Sequence, residues 1–177
     1  SGIAARFMDN GTEIGGFDLY CTSDVLTGSG ISSSAAFETL IGTIIDAYYN
    51  GGRSGAIEIA KIGQFAENVY FGKQSGLMDQ TVSSVGGLVS IDFINAENPI
   101  VKSFNFDFEE YGYCLCITDT KSSHADLTDD YTAIRSEMET VARQFGKPCL
   151  RQVSEAAFYN DIPRLRKSCS DRAIVRA

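Results

Sequence analysis

Residues 26–36 read Leu-Thr-Gly-Ser-Gly-Ile-Ser-Ser-Ser-Ala-Ala, a glycine- and serine-rich loop that runs directly into a periodic segment. The apolar residues of that segment have the spacing of one face of an amphipathic helix: Phe37, Leu40, Ile41, Ile44, Ile45 and Tyr48. Gly51 and Gly52 are typical of the position just past a last helical turn. Upstream, residues 15–22 alternate apolar and polar side chains, which predicts a strand with one apolar face: Phe17, Leu19 and Cys21. The sequence therefore predicts a strand, a loop and a helix in that order.

A glycine- and serine-rich loop before a helix is suited to hold a phosphate group. The first N–H groups of a helix have no partner within it, and the helix dipole favours an anion there. The loop is not a Walker A loop, because no Gly-Lys-Ser/Thr follows, and Gly28-Ser29-Gly30 lacks the third glycine of a dinucleotide motif. The same composition is also typical of an ordinary turn with a serine cap. On composition alone both interpretations stay open.

Residues 28–38 resemble the central ATP-binding motif of the GHMP small-molecule kinases, in the form found in galactokinases. Residues 76–80, Gly-Leu-Met-Asp-Gln, are similar to the block that carries the catalytic aspartate of that family. Residues 66–72 resemble the Ala-Glu-His segment that precedes it. A fourth set also follows the galactokinase pattern: residues 117–120, His124, Tyr131 and Arg135. With four blocks in the right order, the chain is identified as a member of this family.

The resemblance implies roles for individual residues. Asp79 is implied to be the catalytic aspartate that faces the C1 hydroxyl of a sugar, as a general base or as an electrostatic anchor, and Gly76 would let the backbone approach the sugar. Ser34 and Glu67 are implied to bind Mg²⁺, which typically takes one or two protein carboxylates together with phosphate oxygens. The implied cofactors are ATP and Mg²⁺. The residues implied to bind the nucleotide are Gly28, Ser29, Gly30, Ile31, Ser32, Ser33, Ser34 and Ala35.

The implied activity is ATP-dependent phosphorylation of the C1 hydroxyl of galactose to galactose 1-phosphate. Two alternatives stay open: a sister GHMP kinase that acts on another sugar such as N-acetylgalactosamine, and a non-catalytic galactose or ATP sensor on the same scaffold. Leu26 replaces a proline of the family pattern, and Ser123 replaces an arginine close to the substrate side. His124 is either a substrate-side residue or an ordinary surface-loop histidine. The intact serine loop and Asp79 favour an enzyme over a sensor.

Two blocks of the family pattern do not occur in this sequence: an N-terminal Gly-Arg-x-Asn-x-Ile-Gly-Glu-His-x-Asp-Tyr and a C-terminal glycine-rich block. The resemblance therefore implies an internal part of a longer enzyme, which we expect to be inactive alone. Exposed sheet edges, including one beside residues 17–21, predict self-association. The other expected partners are the small molecules sugar and ATP.

Composition excludes several functional classes. The net charge is −8 and the isoelectric point is about 4.6, which argues against nucleic acid or an anionic membrane as a partner. No apolar run approaches the roughly 18 residues that a membrane-spanning helix needs. Five cysteines without a CxxC pair favour a reduced, cytoplasmic setting. Cys114 and Cys116 lie two residues apart on one face of a predicted strand, a geometry in which they do not pair readily.

The remaining pattern predicts an α+β fold. Helices are predicted over residues 54–70, with Ile59, Ile62, Ala66 and Val69 inward, from Leu77 to the glycines at 86–87, from a cap at Asp129 or Asp130, and from residues 161–163. Strands are predicted at residues 88–93, 100–106 and 113–119. By resemblance, residues 1–120 are part of a ribosomal-protein-S5-like, ATP-binding N-terminal domain. Residues 121–177 would begin a ferredoxin-like C-terminal domain.

Overall fold

The structure, a computed structural model, describes residues 1–25, 30–118 and 128–177, the last range without the side chains of residues 128–131. The chain divides into two compact units. The first comprises Ser1–Ser90 and Lys102–Asp126, and the second comprises Ile91–Val101 and Leu127–Ala177. The predicted division at residue 120 falls outside the described residues and stays a prediction.

The first unit is a group of packed helices. They are α1 (Gly2–Asp9), α2 (Ser33–Tyr49), α3 (Ala56–Phe65), which continues as a π-helical turn (Ala66–Tyr70), and α4 (Met78–Val85). Helices α2 and α3 each contact all the other helices of the unit and therefore form its centre. The core contains one apolar cluster from α1, α2, α3 and the π turn: Ile3, Phe7, Ile45, Ile62 and Ala66.

Helix α1 is an element that the sequence analysis missed. Ser1 caps it by accepting a hydrogen bond from the Ala4 N–H, and Ile3 and Phe7 lie one turn apart on the buried face. The serine followed by apolar residues at positions 3 and 7 is the pattern that could have predicted it.

Helix α2 forms where it was predicted and buries Ile45 of the predicted apolar face, but the rest of its buried face differs from the prediction. Its buried residues are mostly small or polar: Ala35, Glu38, Thr39, Gly42, Ile45 and Asp46. On the predicted apolar face, Phe37 and Leu40 remain 55% and 42% exposed. Gly42 explains why this face of α2 is buried, because a Cβ there would lie 3.0 Å from Cγ2 of Ile59 on α3. The close approach of the two helix backbones buries the small-residue face.

Helix α2 ends as predicted, at two glycines with positive φ. Gly51 and Gly52 have φ of 68° and 66°, values that residues with a side chain adopt only with strain. The buried carboxylate of Asp46 accepts hydrogen bonds from the Asn50 amide at 2.7 Å and the Ser54 N–H at 3.0 Å. These bonds outweigh the effect of burial and lower the pKa of Asp46. The turn that leads to α3 is therefore held by an ionised side chain.

One two-stranded sheet is present among the described residues, formed by β1 (Leu88–Asp92) and β2 (Ile100–Phe104). The predicted strand at residues 15–22 is wrong, because that segment pairs with no described strand and leaves Phe17 and Leu19 exposed. The predicted strand at 113–119 is likewise unpaired over 113–118, and a 3₁₀ turn, Glu109–Tyr111, precedes it. Alternation alone does not form a strand without a neighbour that completes its hydrogen bonds. Residues 17–21 therefore form no sheet edge with the described part of the chain, and self-association stays a prediction.

The second unit contains three helices around a small apolar core. They are α5 (Thr128–Gln144), α6 (Glu155–Leu165) and α7 (Asp171–Arg176). Glu137 on α5 accepts hydrogen bonds from Arg172 and Arg176 on α7, the latter at 2.7 Å. A 3₁₀ turn, Leu150–Gln152, places Arg151 against Asp92 with two nitrogens within 3.0 Å of its carboxylate. The core residues are Val141, Leu165, Ala173 and Ile174.

Helices α5 and α6 begin at residues other than those predicted. Helix α5 begins at Thr128, so Asp129 and Asp130 lie inside it rather than at its cap. Helix α6 begins at Glu155, because Ser154 caps it by accepting a hydrogen bond from the Ala157 N–H at 3.2 Å. Pro163 therefore lies in the last turn and not the first, where its missing N–H removes a bond just before the helix ends.

The helix predicted over residues 54–70 is correct in extent but changes type at residue 66. Ile59, Ile62 and Ala66 are buried as predicted, whereas Val69 lies in the π turn and is exposed. The wider turn rotates the last residues away from the helix face on which they were expected. The mixture of helices and a sheet agrees with the predicted α+β class, while a ferredoxin-like start in the second unit stays a prediction.

We expect Phe7→Ala to lower the free energy of unfolding by about 3 kcal/mol, because it empties a site in the core of the first unit. Phe7 is 1% exposed and packs in the same cluster as Ile45 and Ile62. Urea unfolding followed by circular dichroism measures the change. Met8→Ala is the matched control, since Met8 is the next residue of the same helix and is exposed. Equal losses for the two variants would show that α1 does not pack as described.

Candidate functional site

The N-terminus of α2 carries the described part of the predicted phosphate loop. Gly28 and Ser29 lie outside the described residues, whereas Gly30 has φ of 78° and Ser32 has φ of 60°. Ser32 is the one residue other than glycine with positive φ in the described part of the chain, and its side chain makes no capping hydrogen bond. A strained backbone at this point is typical of a binding loop and not of a simple serine cap.

Ser34 and Glu67, the residues predicted to bind a metal, lie next to each other. The Ser34 hydroxyl donates a hydrogen bond to Oε1 of Glu67 at 3.4 Å, although 33 positions separate the residues in the sequence. The Lys73 ammonium lies 2.7 Å from the same oxygen, in an ion pair with the carboxylate. The fold thus joins the serine loop of α2 to the π turn after α3.

The carboxylate of Glu67 is buried and ionised. It is 4% exposed, and burial by itself raises the pKa of a carboxyl group. Hydrogen bonds from Lys73 and Gln80 and the charge of Lys73 outweigh that effect, and the pKa of Glu67 lies below its usual value. An ionised carboxylate at a helix N-terminus with a hydroxyl beside it fits the preference of Mg²⁺ for one or two protein oxygens plus phosphate. Within the described ranges, no group of three or more histidine, cysteine, aspartate or glutamate side chains is placed to hold a metal.

Glu38 is a second buried carboxyl group, which the sequence analysis did not assign to the site. It is 8% exposed and accepts a hydrogen bond from Nε2 of Gln80 at 3.1 Å. Burial, with the nearby charge of Glu67, raises the pKa of Glu38 to about 7 in spite of this bond and of Lys73. Two buried carboxyl groups of one cluster thus differ in protonation near neutral pH.

Gln80 connects the two carboxyl groups. Its Nε2 donates to Oε2 of Glu67 at 2.9 Å as well as to Glu38, so each amide hydrogen has its own acceptor. Gly63 makes the approach possible: a Cβ there would lie 3.2 Å from Cβ of Glu38 and 3.3 Å from Cγ of Gln80. A larger residue at position 63 would push α3 away from both neighbours.

Asp79 lies directly before Gln80 along the chain, and Gly76 lies four residues before it. Asp79 is partly buried in the first turn of α4, and Gly76 is exposed in the loop that leads to it. The side chains of Asn68 and Gln64 hold this loop at Ser75. The Ser75 N–H donates a hydrogen bond to Oδ1 of Asn68 at 2.8 Å, and Nε2 of Gln64 donates to the Ser75 backbone carbonyl at 3.1 Å. Backbone connection and loop anchoring therefore place the predicted catalytic aspartate beside the buried cluster.

The sequence contained a pattern that could have revealed the missed residues. Ala35, Thr39, Gly42 and Asp46 recur at helical spacing and mark a face of small side chains, on which Glu38 also falls. A glutamate on such a close-packing face is a candidate for burial. Lys73 had no comparable pattern, because it lies in a loop and contacts Glu67 only through the fold. His124 lies outside the described residues.

Other features outside the cluster bear on the remaining predictions. The five cysteines are free, and Sγ of Cys114 lies 3.7 Å from Sγ of Cys116. Cys114 and Cys116 form no disulfide with each other, as predicted. The predicted reason is wrong, however, because residues 113–118 form no strand. Of the helices in the described ranges, none has the length and apolar character that a membrane crossing requires.

Comparison with known proteins supports the resemblance found in the sequence. Residues 2–87 match the family model of the GHMP kinases N terminal domain. Over 176 residues, 99% of the chain, the sequence is 31% identical to a galactokinase of Streptomyces coelicolor. The chain spans 45% of that protein, less than half of its length. The predicted resemblance to the GHMP kinases and to galactokinase is confirmed.

The raised pKa of Glu38 predicts a specific pH dependence of stability. The unfolded chain ionises this group at about 4.5 and the folded chain at about 7, so the unfolded state loses its proton first. Stability therefore falls as the pH rises from about 4.5 to about 7, by up to about 3 kcal/mol, and is then constant with respect to this group.

Urea unfolding at pH 5, 6, 7 and 8 tests this prediction, with Glu38→Gln as the comparison. The variant keeps the size of the side chain but does not titrate, so the difference in stability between wild type and variant should change across this window. The groups with lowered pKa, including Glu67, titrate below it and cancel in the difference. A constant difference from pH 5 to pH 8 would show that Glu38 is not a neutral buried group.

Proposed function

We propose that the chain, which carries a GHMP kinase N-terminal domain in residues 2–87, provides the ATP- and magnesium-binding part of a sugar kinase. The observation that carries this proposal is the meeting of Ser34 with the ionised carboxylate of Glu67 at the N-terminus of α2. The reaction of the complete enzyme would transfer the γ-phosphoryl group of ATP to the C1 hydroxyl of galactose. The name of the Streptomyces relative, galactokinase, supports galactose as the sugar.

The backbone of the serine loop supplies the phosphate-binding contacts. N–H groups of the first turn of α2, which begins at Ser33, have no carbonyl partner within the helix and are oriented to donate to an anion at its N-terminus. The left-handed conformation of Ser32 turns the chain just before these groups. The helix dipole adds a favourable field for negative charge.

Glu67 and Ser34 are the residues that would hold Mg²⁺ beside these phosphates. Bound Mg²⁺ supplies charge neutralisation on the phosphate oxygens. Lys73 makes the ion pair with Glu67 in the absence of metal, which keeps the carboxylate ionised and ready to bind a cation. One carboxylate and one hydroxyl leave most of the coordination sphere to phosphate and water, as Mg²⁺ prefers.

Asp79 would act on the sugar hydroxyl. It lies in the first turn of α4, after the exposed Gly76, where a sugar could approach the backbone. The carboxylate either accepts the proton of the attacking C1 hydroxyl or holds that hydroxyl by a hydrogen bond. Both roles require Asp79 close to the acceptor and the phosphates held at α2.

Ser34→Ala tests the nucleotide site on the chain itself. Loss of a hydroxyl that faces both a carboxylate and the metal should weaken Mg–ATP binding about tenfold, measured by isothermal titration calorimetry. Binding of ATP in EDTA should change by less, because the backbone N–H groups are kept. Ser83→Ala is the control, since Ser83 is an exposed serine on α4. Equal affinities of the Ser34 and Ser83 variants for Mg–ATP would contradict the proposed cradle.

Asp79→Ala tests the chemical step in an active polypeptide that contains this chain. Removal of a positioned base or charge stabiliser should lower turnover at least about a hundredfold, while affinity for Mg–ATP stays within a few-fold. Asp9→Ala is the control, because Asp9 is an exposed carboxylate at the end of α1. Galactose-dependent ATP consumption gives the rates, and turnover of the Asp79 variant near that of the control would reject the assignment.

The 177-residue chain alone should show no useful galactose-dependent ATP consumption. Positioning of both substrates supplies much of the rate in phosphoryl transfer, and the family blocks implied to grip the sugar do not occur in this sequence. The same assay on this chain and on the complete enzyme makes the comparison. Equal rates would show that those blocks are dispensable.

A further inference from the structure

Gln80 holds an unusual position between the two buried carboxyl groups. It is 1% exposed, and its single amide nitrogen donates to Oε2 of Glu67 on one side and to Oε2 of Glu38 on the other. The contact with Glu38 spans 42 positions and joins α4 to α2, and the contact with Glu67 joins α4 to the π turn. One side chain thus connects three separate elements of the first unit.

The two carboxylate oxygens of Glu67 have different partners, because Gln80 donates its hydrogen bond to only one of them. Oε2 is occupied by the Gln80 amide at 2.9 Å. Oε1 faces the Lys73 ammonium at 2.7 Å and the Ser34 hydroxyl at 3.4 Å. The carboxylate is therefore fixed in a rotation that presents one oxygen to a positive charge. Oε1 is thus the oxygen that carries the ion pair with Lys73.

The amide of Gln80 is not the side chain that stability alone would favour. Its Oε1 is buried and has no hydrogen-bond partner among the described residues, which makes the amide unfavourable for stability. An apolar side chain of similar shape would avoid that cost. The arrangement satisfies the carboxylates and leaves the acceptor of Gln80 unsatisfied.

We propose that Gln80 is a positioning residue for the cation site: by holding Oε2 of Glu67, it directs Oε1 and the Ser34 hydroxyl toward a divalent cation. Glu38 restrains the amide from the side of α2 and so determines which way its second hydrogen points. This inference rests on the proposed function, because it assumes that Glu67 binds the metal. It adds residues that are not themselves ligands but determine the orientation of one.

The experiment uses Mn²⁺ alone as the probe, with affinity measured on the 177-residue chain by water-proton relaxation or electron paramagnetic resonance. Gln80→Met keeps the approximate length of the side chain but donates no hydrogen bond. We expect it to weaken Mn²⁺ binding about tenfold or more, the usual effect of removing a partner that orients a metal ligand. Glu67→Gln removes the ligand itself and should abolish the tight site.

Thr81→Val is the matched control for a purely structural effect. Thr81 is the next residue of α4, is fully buried, and donates a hydrogen bond to the Leu77 carbonyl at 2.7 Å. Its loss should lower the melting temperature as much as a buried substitution usually does, yet leave the Mn²⁺ affinity within about twofold. If Gln80 had only a structural role, Gln80→Met would behave like Thr81→Val, with a changed melting temperature and an Mn²⁺ affinity within about twofold of wild type.

Two variants of Glu38 test the same inference without changing Gln80. Glu38→Gln keeps an oxygen that can accept the amide hydrogen and should bind Mn²⁺ within about twofold of wild type. Glu38→Met removes the acceptor and should weaken binding several-fold. If Gln80→Met does not fold, the comparison of Glu38→Gln with Glu38→Met still tests the positioning role of Gln80.

The outcomes separate the inference from the proposed function. If Glu67→Gln abolishes the site but Gln80→Met and Glu38→Met bind Mn²⁺ like wild type, the cation site stands and the positioning role is wrong. If Glu67→Gln binds Mn²⁺ as tightly as wild type, the cation site of the proposed function is wrong, and the positioning role is overturned with it.

Discussion

The close approach of α3 to α2 and α4 at Gly63 is the constraint on which the first unit depends. A Cβ at this position would lie 3.2 Å from Cβ of Glu38 and 3.3 Å from Cγ of Gln80, so a side chain there would force these neighbours to move apart. The approach buries two carboxyl groups and an amide that would otherwise reach water. Because buried polar groups are costly unless they are hydrogen-bonded, the helices must supply partners for one another. The contact at Gly63 therefore determines both how the helices pack and how the buried polar side chains are hydrogen-bonded.

Burial has opposite consequences for the two carboxyl groups of this cluster. Glu67 has Lys73 within 2.7 Å and stays ionised, whereas Glu38 forms no such ion pair with a described residue and its pKa rises to about 7. Two adjacent ionised carboxylates would repel each other strongly where water is scarce. With a pKa of about 7, Glu38 is partly protonated at neutral pH, so it adds less negative charge beside Glu67 than an ordinary carboxylate would. The pair thus concentrates negative charge on Glu67, at the N-terminus of α2, where a cation and phosphates would meet.

Local patterns predicted the elements that local forces decide. Helices α2 and α4 follow from periodic residues bounded by glycine, and the glycines at 51–52 adopt the positive φ that ends a helix. The strands at 15–22 and 113–119 were wrong because a strand depends on a neighbour elsewhere in the chain, which no alternation in the segment can supply. The buried face of α2 was also misjudged. Apolar content favoured Phe37 and Leu40, whereas the close helix contact at Gly42 selected the small residues.

The candidate site shows the same division between local and tertiary information. The resemblance to the GHMP kinases indicated Ser34, Glu67 and Asp79 one by one, as members of separate blocks. It implied that Ser34 and Glu67 lie near one Mg²⁺ ion, but it indicated neither the hydrogen bond between them nor that the residue after Asp79 would hold Glu67. Those relations exist only after α2, the π turn and α4 have packed around α3. Each block supplies one functional group, and the orientation of that group depends on a side chain from another block. A motif search therefore finds the ligands of such a site more readily than the residues that orient those ligands. Gln80 and Glu38 are orienting residues of this type.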